Sequence, residues 1–141
     1  MAKAAYWLLG NLVIVHVSGE ETEGRFCLVE FQSPAGDWTP LHVHRNDSQT
    51  TYLLEGEVTF HLPGETRTLG PGECILQPAA VPQTEQVTSA GPARMLDINS
   101  PVGFDRFVAA AGDPAESLTL PHHRRRNPIS RSSPRSPPTT G

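Results

Sequence analysis

The chain has 141 residues, 37% of them hydrophobic, with 14 Pro and 12 Gly; that is enough for one compact core and too short for two ordinary ones. Pro and Gly at this density interrupt helices and suit turns, which favours an all-β fold of short elements. The net charge of -4 hides a split: residues 1–120 hold all 15 acidic residues and six of the 11 basic ones, so the acidic body excludes a broad basic surface for nucleic acid.

In chain order, AAYWLLGNLVIVHV (4–17) comes first. Gly10, Asn11 and His16 interrupt it, no small-x-small cleavage site follows, and it is too short to span a bilayer. Its β-branched content reads as leading β-strands, so neither a leader nor a membrane partner is expected. Further strands are expected at 25–32, 40–45, 50–55, 57–62, 66–69, 73–77, 82–88 and 93–98, separated by turn clusters such as SGEETEG, SPAGD and GPGE. GFDRFVAAAG (103–112) reads as a short closing helix with Phe104, Phe107 and Val108 on one face and Gly112 as its stop. Residues 1–117 therefore form the expected domain. Residues 118–141, rich in Pro, Ser and Arg, are expected to be a disordered tail, since they offer too little apolar surface to offset ordering entropy.

Cys27 and Cys74 form no CxxC pair; both read as core strand residues, and a reducing cytoplasm fits. The chemistry concentrates elsewhere. In LHVHRNDSQTTYLLEG (41–56), His42 and His44 lie two apart on a strand and project to one face. By the same alternation Gln49, Thr51 and Leu53 face inward on the next strand, and Gln83, Glu85 and Val87 on a later one. The expected polar cluster is His42, His44, Gln49, Gln83 and Glu85, in a cavity lined by Leu53, Val58, Phe60 and Leu62. His16 and His61 read as ordinary surface or core residues.

The spacing Gly36, His42, His44, Gln49, Gly56, followed by Gly72, Pro78, Ala80, Gln83 and Gln86, resembles the two motifs of the cupin superfamily. Together with YWLLGNLVIV, SGEETEGRFCLVEF, TYLLEGEVTF and GFDRFVAAAGDPA, it is similar to the small bacterial quercetin-dioxygenase-like single-domain cupins over about residues 5–115. The resemblance implies a jelly-roll type β-barrel, often a homodimer, with one divalent metal ion (Fe, Mn, Ni, Co or Zn) at the positions of His42, His44, Gln49 and Gln83. Gln stands where that family has Glu and again where it has its third His. Neutral amides are weaker donors to a late transition metal, so no cofactor is the leading expectation and one divalent ion the alternative.

The expected function is an enzyme of specialised, polyketide-like secondary metabolism. It would use non-redox acid/base chemistry for cyclisation, isomerisation or dehydration of a hydrophobic oxygenated small molecule. His42, His44 and Glu85 would be catalytic, while Gln49, Gln83, Thr51, Leu53 and Phe60 would bind substrate. The alternatives are a metal-dependent quercetinase-like dioxygenase and a non-catalytic ligand-binding cupin.

Overall fold

A computed structural model describes residues 4–44, 46–101 and 103–121. Ten strands and one helix form in the order β1 (Ala4–Leu8), β2 (Asn11–Val17), β3 (Cys27–Ser33), β4 (Ser48–Glu55), β5 (Val58–Leu62), β6 (Glu65–Leu69), β7 (Cys74–Gln77), β8 (Thr84–Val87), β9 (Ala93–Ser100), α1 (Phe104–Ala111) and β10 (Asp113–Pro114). A seven-stranded sheet runs β10-β1-β2-β3-β9-β4-β7 and a three-stranded sheet runs β6-β5-β8. The expected all-β jelly roll is the fold found, its sheets facing each other without closing into one continuous hydrogen-bonded cylinder.

Alternation along the strands builds the interior. Leu53, Ile75, Ala93 and Met95 of the large sheet meet Val58, Phe60, Leu69 and Val87 of the small one in a single buried cluster, so the core lies between the two layers. A second cluster joins Leu8, Val13, Cys27 and Val29 to Val108 and Ala111 of α1. The helix thus docks through Phe104, Val108 and Ala111, and Phe107, expected on the buried face, is exposed. The i, i+4, i+7 stripe faces the sheet, one helical turn of choice away from the expected one. The helix ends where Gly112 turns to extended backbone, φ -87 and ψ 164, its N–H bonding the Val108 carbonyl, and a Cβ there would sit 3.0 Å from Tyr6 Cβ.

Three expectations need adjusting. Residues 40–45 form no regular strand: the stretch around them pairs with residues 83–86 through isolated bridges, Trp38 to Gln86 and His42 to Gln83, and through bonds such as Thr39 N–H to the Glu85 carbonyl, because Pro40 lacks the N–H that a ladder needs. Cys74 is exposed, while Cys27 is buried. Residues 118–121, assigned to the tail from composition, return to the body: Trp7 Nε1 donates to the Thr119 carbonyl at 2.8 Å, and Leu120 covers the cluster of Trp7, Leu12 and Ile14. The rest of the tail, residues 122–141, lies outside the described residues. Among the described residues no helix is long and apolar enough to cross a membrane.

The crossing from β4 in one sheet to β5 in the other turns on Gly56, at φ +88, where a Cβ would lie 2.8 Å from both Ala93 Cα and the Pro92 carbonyl oxygen. Gly64, at φ +73, has open space instead. Gly56→Ala is expected to cost about 3 kcal/mol from the left-handed backbone and the clash together, against about 1 kcal/mol for Gly64→Ala. Urea denaturation of both variants checks the ranking.

Candidate functional site

Strand register stacks the inward residues of the large sheet into cross-strand rungs. Gln77, Gln49, Asn99 and Cys27 form one rung, Ile75, Thr51, Asp97 and Val29 the next, and Leu53, Met95 and Phe31 a third. Polarity falls from rung to rung: the first carries three amides, the second one hydroxyl and one carboxyl, the third none. This end of the sandwich is therefore a polar chamber seated on an apolar core.

Hydrogen bonds tie the chamber wall together. Asn99 Nδ2 donates to Gln49 Oε1 at 3.1 Å and to Asp47 Oδ2 at 2.9 Å. Thr51 Oγ1 donates to Asp97 Oδ1 at 2.7 Å and accepts from Gln77 Nε2 at 3.0 Å and from Gln49 Nε2 at 3.4 Å. Asp47 lies 3.5 Å from His44 Nδ1. Burial pushes the Asp47 carboxyl up, but hydrogen bonds from His44 and Asn99 outweigh it and hold the group below its ordinary range.

The facing side supplies the other expected residues. His42 and Gln83 exchange both backbone hydrogen bonds, at 3.0 and 2.9 Å, so their side chains share one face. Phe60 stands opposite Glu85 and Val58 opposite Val87, which turns Glu85 inward with them. The His42 and His44 rings meet edge to face at 5.2 Å, and the Phe104 ring lies 6.0 Å from His44. Burial lowers the His42 pKa, a hydrogen bond to the Pro40 carbonyl opposes this, and the neighbouring His44 lowers it further. Nδ1 of His42 donates to that carbonyl at 2.8 Å, which leaves Nε2 as the lone-pair nitrogen of a neutral imidazole.

Of the expected residues, His42, His44 and Glu85 are half-buried, Gln49, Thr51 and Gln83 are buried, and Leu53 and Phe60 are fully enclosed in the core below. Those last two support the chamber from beneath. Leu62 packs against them, as expected, and also helps line a cavity of about 390 Å³ that takes in Arg67 of β6, Leu76 of β7 and Pro78 and Pro82 of the following loop. His61 stacks on Trp38 and His16 bonds Glu30, both away from the chamber.

Four participants were missed: Asp47, Gln77, Asp97 and Asn99. The signal for two of them was present in ARMLDINS, where Ala93, Met95, Asp97 and Asn99 alternate and all four are buried. Asp97 changes the electrostatics most. Burial pushes Glu85 up to about 8, with repulsion from Asp97 and then Asp37 adding to it. Asp97 is pushed up to about 7 by burial, opposed by the Thr51 hydrogen bond and by His44. The two carboxyls titrate as a pair.

The donors do not fit the metal set that the cupin resemblance implies. Two imidazoles are present, but Gln49 Oε1 is taken by Asn99, and no group of three or more His, Cys, Asp or Glu among the described residues gathers around a common point. Two neutral amides in place of a carboxylate and an imidazole are weaker donors to a divalent transition ion.

Comparison with known proteins follows this geometry. Residues 29–99 match the family model described as Cupin domain. Over 102 residues the chain is 30% identical to quercetin 2,3-dioxygenase of Bacillus subtilis (strain 168), a match covering 72% of this chain. The chain spans only 30% of that relative's length. Among solved structures, KdgF from Halomonas sp. superposes with a TM-score of 0.61 at 21% identity, covering 69% of this chain and 84% of that one. The polyketide cyclase RemF from Streptomyces resistomycificus gives 0.58 at 24% identity, covering 82% and 75%. Both share the fold.

The raised carboxyls link stability to pH. Because Glu85 and Asp97 hold protons in the folded state that ordinary carboxyls release near pH 4, the native chain binds more protons between about pH 4 and 8. Stability is therefore expected to fall as pH rises through that window and to level off above it. Thermal denaturation across the range should show the decline, and Glu85→Gln should flatten it and raise Tm at the alkaline end.

Proposed function

This chain belongs to the cupin family, and we propose that its chamber performs non-redox acid/base catalysis on a hydrophobic, oxygenated, polyketide-like small molecule. The reaction class is cyclisation, isomerisation or dehydration through an enol. Supporting this above all is the pairing of a neutral His42, its Nε2 available, with a Glu85–Asp97 carboxyl pair raised toward neutrality. A neutral imidazole base and a protonated carboxyl acid are what proton transfer at carbon requires.

In this reading His42 Nε2 takes a proton from the carbon next to a substrate carbonyl, and protonated Glu85 gives one to the oxygen or carbon where charge develops. No electron leaves the substrate, so no oxidant is needed. Burial keeps the Glu85 proton in place, and Asp47 positions His44. The amide wall orients the substrate oxygens. A polyketide cyclase shares the fold. We place no metal in the cycle, and we expect the protein to act as a homodimer, since Leu76 and Ile98 flank Thr50 on an exposed outer rung next to Tyr52, an apolar patch suited to a second copy.

A second reading, metal-dependent dioxygenation, draws on the 30% identity to quercetin 2,3-dioxygenase. The two separate on oxygen. With enolisable aromatic polyketones as substrates, conversion followed by NMR should proceed anaerobically and in chelator. His42→Ala and Glu85→Ala should each lower turnover by about 10²- to 10⁴-fold. Oxygen uptake that stops with chelator and returns with one metal would overturn this function in favour of the dioxygenase. Full turnover by His42→Ala, His44→Ala and Glu85→Ala alike would also sink it, and saturable binding without conversion would leave a ligand-binding cupin.

A further inference from the structure

The outer face of the small sheet takes no part in the chamber. Phe60 of β5 and Glu85 of β8 stand opposite each other on the inward side, so their neighbours Thr59, His61, Thr84 and Gln86 point out. Pairing across β6, β5, β8 and the Trp38 bridge sets Thr68, Thr59, Gln86 and Trp38 side by side in one outward row. A second row, Thr66, His61 and Thr84, runs beside it. His61 is the one ionisable residue in either row, although the body that carries them is acidic.

Trp38 supplies the aromatic surface of this face. It pairs with Gln86 of β8 and stacks on His61 of β5, so the indole reaches across β8. The two rings lie at 15° with centres 5.7 Å apart, and Trp38 is still 54% exposed. The hydroxyls beside it have a fixed direction. Thr88 Oγ1 donates to Glu57 Oε1 at 2.7 Å, which uses its single proton. Thr59 is therefore the donor in its 3.2 Å contact with Thr88, and Thr68 the donor in its 2.9 Å contact with Thr59. The series ends on the exposed Thr68 oxygen, which has lone pairs to offer and no proton.

Size and charge decide what such a face can hold. Three strand spacings make the row about 14 Å long, and the two rows lie about 7 Å apart. A protein partner needs about 800 Å² on each side with an apolar centre, many times what the two rows provide. A nucleic acid needs a basic surface, which neither row has. A sugar chain needs an aromatic surface for its C–H faces and neutral polar groups for its hydroxyls, and both are present.

We propose that the outer face of the small sheet binds a neutral, extended, ribbon-like oligosaccharide. One sugar ring lies on the Trp38 indole, the Gln86 amide both donates to and accepts from the next hydroxyls, and a further hydroxyl donates to Thr68. The site is separate from the chamber and independent of its chemistry, because the two lie on opposite sides of the same strands.

The full chain is titrated with cellohexaose by calorimetry and by tryptophan fluorescence. Of the two tryptophans, Trp7 is only 7% exposed, so a change at an exposed indole reports Trp38. Saturable heat with a blue shift of the emission is the expected result. Trp38→Ala should weaken binding at least about tenfold. Thr68→Val, which keeps shape and strand preference, should weaken it about threefold. Both side chains are exposed, so Tm should hold in each variant. Maltohexaose, a coiled chain of the same sugar, should bind more weakly. No binding of cellohexaose, unchanged affinity in Trp38→Ala, or equal binding of maltohexaose would overturn the proposal. So would a blue shift that follows protein concentration in the absence of sugar, which would place a second copy on this face.

Discussion

The hydrogen bond from Thr51 to Asp97 is the contact on which the rest of the chamber depends. It anchors a buried carboxyl in the middle rung of a β-sandwich, between Ile75 on one side and Val29 on the other. Leaving such a group without partners costs several kcal/mol when charged and about 1–3 kcal/mol when neutral. The fold meets this in two ways. Gln49 and Gln77 orient the Thr51 hydroxyl by donating to its oxygen, and the enclosure drives Asp97 and Glu85 toward their protonated forms.

That arrangement makes the absence of family-typical donors intelligible. With Gln at position 49, the neighbouring Asn99 amide can donate to it and also to Asp47, joining the entrance histidine to the chamber wall in one chain of contacts. With Gln at 83, the facing segment offers an acceptor and no second charge. Both replacements keep polarity while removing ligands suited to a late transition metal. The chamber wall holds amides where the cupin resemblance implies a Glu and a third His.

Strand parity made much of this legible in advance. The inward faces Gln49–Thr51–Leu53 and Gln83–Glu85–Val87 follow from alternation alone. Where reading failed, a specific force intervened. Pro40 broke the expected ladder before His42, so the histidines sit on an irregular segment held by two bridges. Phe107 lost the buried face of α1 to Ala111 because tertiary packing, not apolarity, chose the stripe. Thr119 and Leu120 were assigned to a tail by composition, yet one backbone carbonyl reached by the Trp7 indole was enough to fasten them. Asp97 was overlooked because a lone acid in an apolar strand looks like an outward residue until its neighbours' alternation is counted.

The central claim is that the Glu85 and Asp97 carboxyls hold protons near neutral pH within the chamber. Carboxyl-carbon NMR of the full chain, following Glu85 and Asp97 from acid to alkaline pH, tests it most directly. Coupled titration of the pair near neutrality, with apparent values in the region of 7 to 8, is the result this account predicts. Ionisation of both groups by about pH 5, whether from solvent or from a bound cation, would contradict it.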